Sequence, residues 1–197
     1  MRELLATLGA VLALAMASPA SAQASAGGPG RAGDCALPYE ALCHEILLPA
    51  PVAEVWPLFS TSAGLSSWMA PVAAIDLRVG GMMEASYSRG ARPGDAGNIL
   101  NRVLSYLPER MISIAIERAP PNFPHADEAR TLWTVIELEP YAENVTRVRV
   151  IMLGYDEGEA FDVLARHFNA GNTWTLEKLY ERVANGPENW ASLGGGQ

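Results

Sequence analysis

From Ala73 to Leu153 the chain alternates apolar and polar residues, segment after segment, with no stretch of helical period strong enough to interrupt it. Ile75, Leu77 and Val79 alternate with Asp76 and Arg78, and Met83, Ala85 and Tyr87 with Glu84, Ser86 and Ser88. Asn98 to Leu107 and Met111 to Glu117 read as two further strands. Leu132, Thr134, Ile136 and Leu138 share a face opposite Glu137 and Glu139, and Val148, Val150 and Met152 oppose Arg147 and Arg149. Period two gives each strand one dry face and one wet face. Turn residues separate several of them: Gly80-Gly81, Pro108-Glu109-Arg110, and Tyr141 to Asn144. Two longer loops, Arg89 to Gly97 and the proline-rich Ala119 to Ala129, break the run. Strands joined in this way make an antiparallel sheet, and one this long must curl and be covered on its dry side.

One segment can cover it. Gly158 to Val183 carries Phe161, Leu164, Phe168, Leu176, Leu179 and Val183 on one side of a helix. The stripe is apolar at its ends and small or polar in its middle, at Gly171, Asn172 and Thr175. Two readings stand: a helix roofing a cavity, or an irregularity in an ordinary core helix. Upstream, Cys43 to Leu48 reads as a first strand. Ala50-Pro51 opens a short helix with Val52, Val55, Trp56 and Phe59 on one face, and Pro57 limits or kinks it. Thr61 can cap a second short helix running to Trp68. The fold class is therefore α+β: a curved antiparallel sheet of about seven strands, two short helices and one long C-terminal helix packed over it.

The 197 residues suffice for one sizeable core. A net charge of −8 without a Lys/Arg cluster argues against nucleic acid and anionic membrane as partners. Residues 1–22 resemble a signal peptide. An apolar run from Leu4 to Ala17, short of the ~20 residues that span a bilayer, is followed by Pro19 and the small residues Ala20-Ser21-Ala22. Cleavage is expected after Ala22, leaving a periplasmic or secreted protein with no stable membrane insertion; an uncleaved anchor is the other reading. Residues 23–38 are expected to be a flexible linker, 39–184 the domain, and 185–197, ending in glycines, a disordered tail. Cys35 and Cys43, the only cysteines, suit one disulfide in an exported chain, with two free thiols as the alternative.

Several phrases resemble the START-like, helix-grip superfamily called SRPBCC, in the branch of bacterial homologues of the activator of heat-shock-protein ATPase. They are Pro51 to Trp56 followed by Gly64 to Trp68, then Asp76 to Gly81, Leu107 to Arg110, and Leu138-Glu139-Pro140 before Thr146-Arg147. The resemblance runs from about Glu40 to Val183. It implies the helix-grip fold, with an open choice among lipid carriers, hormone binders, cyclases and chaperone cofactors. The export signal sets this chain apart from a cytosolic chaperone role.

No catalytic or cofactor motif occurs, so no catalytic residue, metal site or cofactor is expected. His44, His125 and His167 fall on a strand, a loop and a helix, and the wheel places His167 and Trp174 away from the apolar stripe. Trp133 shares parity with Glu137 and faces outward. What remains is an apolar box with a few polar groups, the character of a small-molecule site. Its expected lining is Trp56, Trp68, Met83, Tyr87, Thr134, Ile136, Met152, Phe168, Asn172 and Thr175. The alternative is a fully packed core with methionine as filler. The expected function is an exported protein holding a hydrophobic or amphipathic small molecule. Two other readings remain. One is a cyclase- or hydrolase-like enzyme, with Tyr87 and His125 or Asn172 as acid–base pair; the other is a protein-interaction module.

Overall fold

The computed structural model describes residues 29–88 and 90–191. The expected signal peptide, and the linker up to residue 28, lie outside the described residues. Among the described residues eight strands form one antiparallel sheet: β1 (Gly33–Asp34), β2 (Leu42–Leu48), β3 (Val72–Ile75), β4 (Met82–Ser86), β5 (Ile99–Leu107), β6 (Met111–Arg118), β7 (Trp133–Ala142) and β8 (Val145–Leu153). Four helices join them: α1 (Val52–Ser60), α2 (Ser62–Ser66), α3 (Ala126–Ala129) and the long α4 (Glu159–Asn185). The order across the sheet is β1-β2-β8-β7-β6-β5-β4-β3. Strands β3 to β8 are thus a meander, and β2 closes onto its last strand. This is the α+β helix-grip architecture.

Register confirms which side chains share a face. Ile46 lies opposite Val148, Val148 opposite Leu138, Val150 opposite Ile136, and Ile136 opposite Ile112. All are buried, on the face that α1, α2 and α4 cover. The other face pairs the charges: Glu137 lies opposite Arg149 and Glu139 opposite Arg147, with N–O distances of 2.8 and 2.7 Å. Arg147 holds the Glu139 carboxyl below its ordinary range, chiefly by hydrogen bonding. Partly exposed pairs of this kind add little stability but keep the sheet's outer face wet.

The short helices follow from local chemistry. Pro51 precedes α1, where its missing N–H costs nothing, and the helix continues past Pro57 to Ser60. Thr61 ends it and starts α2, its Oγ1 accepting from Gly64 N at 2.9 Å. The two helices meet closely at Gly64, where a Cβ would lie 1.9 Å from Pro57 O. Trp68 locks the pair from beneath: its Nε1 donates to Leu58 O at 2.9 Å and its ring meets Phe59 edge-on at 5.4 Å.

Three expectations need correction. The strand expected to run to Val79 ends at Ile75. A tight turn follows, in which Arg78 N donates to Asp76 O and Gly81 N to Arg78 O, leaving Val79 exposed. Within the residues expected to be linker, β1 pairs with β2 and Gly30 packs on the Tyr180 ring, and the disulfide expected between Cys35 and Cys43 is formed. The tail expected to be disordered from residue 185 is tied down through its described part. Glu188 N donates to Ser67 O, Trp190 Nε1 donates to Ser66 O, and Lys178 pairs with Glu188 at 3.0 Å. The end of α2 leaves carbonyls without intrahelical partners, and the tail supplies the missing donors. No helix among the described residues is long and apolar enough to cross a membrane.

Candidate functional site

The interior beneath α4 consists of two apolar clusters. The larger joins the sheet to α1, α2 and the C-terminal half of α4 through Val55, Phe59, Trp68, Ile136, Leu176 and Leu179. The smaller joins the N-terminal half of α4 to α3 and the ends of β7 and β8 through Ala129, Leu132, Met152 and Leu164, with Phe123, Tyr155 and Phe168 against it. The polar middle of the α4 stripe falls between the two clusters.

Beside that middle, Asn169 of α4 meets a polar group of the sheet. His44 on β2 is 1% exposed, and its Nε2 bonds to Asn169 Oδ1 of α4 at 3.0 Å, with Asp34 Oδ1 3.7 Å away. His44 lies opposite Val150, and Met152, two residues along, lies opposite Leu42 and Thr134. The Tyr155 hydroxyl donates to the Met152 sulfur at 3.9 Å, and desolvation pushes its phenol up to about 12. His44 Nδ1 and Asn172 Nδ2 are buried here without a hydrogen-bond partner among the described residues, as are Arg147 Nε, Arg149 Nε and Glu137 Oε2 within the ion pairs of the sheet's other face. Buried polar atoms are nearly always paired, so two orphans here call for an explanation.

The residues expected in the site divide. Thr134, Ile136 and Met152 share the sheet face beneath α4, and Phe168, Asn172 and Thr175 are partly buried on the helix. Met83 is buried on β4, toward the far edge of the same face, and Trp56 is only partly buried against the larger cluster. Trp68 is committed to holding α1 and α2 together. Tyr87 is not in the interior. Its strand ends at Ser86, the residue is 50% exposed, and its ring packs edge-on against Trp174 at 6.0 Å. His125, one of its two suggested partners, is exposed in a left-handed turn with φ 50°. Gly171 faces open space rather than the sheet. His167 lies at the surface under the proline-rich loop, edge-on to Phe123 at 4.9 Å. Trp133 faces outward, over Gly154.

Sequence reasoning missed His44, Asn169 and Tyr155. Only the polar character of His44 at an apolar parity of its strand could have flagged the first. Two surface hollows of about 400 and 480 Å³ lie elsewhere, against the C-terminal part of α4 and beside Trp174. Among the described residues no cluster of His, Cys, Asp and Glu could hold a metal ion.

Comparison with known proteins agrees with this fold. The family model described as Activator of Hsp90 ATPase homolog 1-like protein matches residues 49–184. The chain is similar to the solved Aha1 dimer of Colwellia psychrerythraea (19% identity, 75% of this chain and 98% of that one, TM-score 0.58). It is similar also to a Mesorhizobium loti protein (18%, 72% and 95%, 0.57) and to CalU16 of Micromonospora echinospora (18%, 78% and 84%, 0.53). Likeness at these identities establishes the fold. No curated protein matches the chain.

Proposed function

Because the chain belongs to the Activator of Hsp90 ATPase homolog 1-like family, we propose that it uses the helix-grip fold to bind a small molecule. On this reading it is an exported protein holding a hydrophobic or amphipathic guest between the sheet and α4. The observation that carries the reading is the polar seam between two apolar clusters, with His44 Nδ1 and Asn172 Nδ2 buried and unpaired. A closed core would pair those atoms or replace them with carbon. Around them Val150, Met152 and Phe168 supply apolar surface, worth roughly 25 cal/mol for each Å² a guest covers. Export to a periplasmic or extracellular space is supported by the N-terminal sequence and by the Cys35–Cys43 disulfide, a bond that persists in oxidising compartments.

The test is native mass spectrometry of the protein purified from its own host, together with a thermal-shift screen of lipophilic probes. A co-purified mass, or a probe that raises Tm, is expected. A ligand at 100 times its Kd adds about 2.7 kcal/mol of stability, which such a screen detects easily. A bare protein that no probe stabilises would refute the reading.

A further inference from the structure

The hydrogen bonding of His44 points to the chemistry of the guest. Its Nε2 faces Asn169 Oδ1 at 3.0 Å and Asp34 Oδ1 at 3.7 Å. Asn169 Oδ1 is an acceptor within hydrogen-bond distance and the Asp34 carboxylate lies just beyond it, so Nε2 donates, and in the uncharged form of the ring Nδ1 presents a lone pair. The residue is 1% exposed, and no donor among the described residues reaches that lone pair. Asn172, three residues from Asn169 on the same helix, has the complementary defect: a buried N–H donor with no acceptor. Residues at that spacing are surface neighbours on a helix. The seam therefore offers one unfilled acceptor and one unfilled donor.

We propose that this pair binds a guest through one group that both donates and accepts: an alcohol or a carboxamide on an apolar body. The group's O–H or N–H donates to His44 Nδ1, and its oxygen accepts from Asn172 Nδ2. An ionised carboxylate lacks the proton that His44 needs, an ether lacks it too, and a hydrocarbon serves neither atom. The inference rests on the reading that a guest lies between the sheet and α4, and adds its polar chemistry.

Calorimetry of the full chain at pH 8 with 1-decanol, decanamide, decyl methyl ether and decanoate separates the two claims. Decanol and decanamide are expected to bind about ten- to a hundredfold tighter than the ether, the range for a hydrogen bond to a buried unpaired partner. His44→Phe should erase that preference, because only the donated proton separates the alcohol from the ether, whereas Asn172→Leu should weaken decanol, decanamide and the ether alike. Equal affinity for all four probes overturns the inference and leaves the binding reading standing; no binding by any of them sinks both. Should His44→Phe fail to fold, ¹⁵N NMR of the wild-type imidazole decides. An unprotonated Nδ1 whose resonance moves on adding decanol supports the proposal, and a protonated Nδ1 or an unmoved resonance overturns it.

Discussion

Two glycines show how differently one residue type is used. Gly171 lies inside α4, and a Cβ there meets nothing within 4 Å. Gly171→Ala should therefore raise stability by about 0.5–1 kcal/mol, by restricting the unfolded chain and favouring helix. Gly64→Ala should lower it by about 1–3 kcal/mol, because its Cβ collides with the Pro57 carbonyl. Urea unfolding of the two variants checks both signs, and a stabilised Gly64→Ala would mean that α1 and α2 are not in this contact. Legibility in the sequence divides the same way. Helical spacing alone places Asn172 on the sheet-facing side of α4, where it is partly buried. His44 was not readable from the sequence, because its meaning depends on Asn169, 125 residues away. Tyr87 was misplaced because alternation shows which face a strand residue takes but not where the strand stops.

Among the elements, α4 and the meander were the most legible, since both are long and largely periodic. The edge strand β1 was not, because two residues carry no period and their surroundings are Gly- and Ala-rich. What makes β1 a strand is attachment: the Cys35–Cys43 disulfide follows it, and Cys35 N donates to Cys43 O at 3.0 Å. A Cys35→Ala/Cys43→Ala double variant should lose about 2–3 kcal/mol, the loop-entropy estimate for so short a bridge. Amide exchange should quicken around Gly33 and Asp34 while β7 and β8 stay protected. Unchanged exchange in β1 would show that strand pairing alone holds the edge.

For the whole molecule, the desolvated Tyr155 makes stability depend on alkaline pH. Its phenol is pushed up from 10.0 to about 12 in the folded chain. Below pH 10 both states keep the proton and stability is complete. Between 10 and 12 the unfolded chain loses it first, binds fewer protons than the native state, and is favoured, so stability falls as pH rises. Tyr87 shifts in the same direction, also by desolvation, although half its surface is exposed, and shares the effect. Tyr155→Phe should flatten the decline in Tm across that window and remove one late step from the absorbance titration at alkaline pH. An identical decline in the variant would show that Tyr155 is not the group responsible.

The sheet order also dictates a sequence of events in time. Strands β3 to β8 pair with their neighbours in the chain, so each pairing closes a short loop and can form early. Strand β2 must instead find β8, and the buried bond from Thr146 Oγ1 to Ala50 O spans 96 residues. Closing that distance is entropically costly until β8 exists to receive it. Strand β2, which leaves a ribosome before the whole meander, is therefore among the last to be seated, and the wall of the candidate site that carries His44 is assembled late in folding.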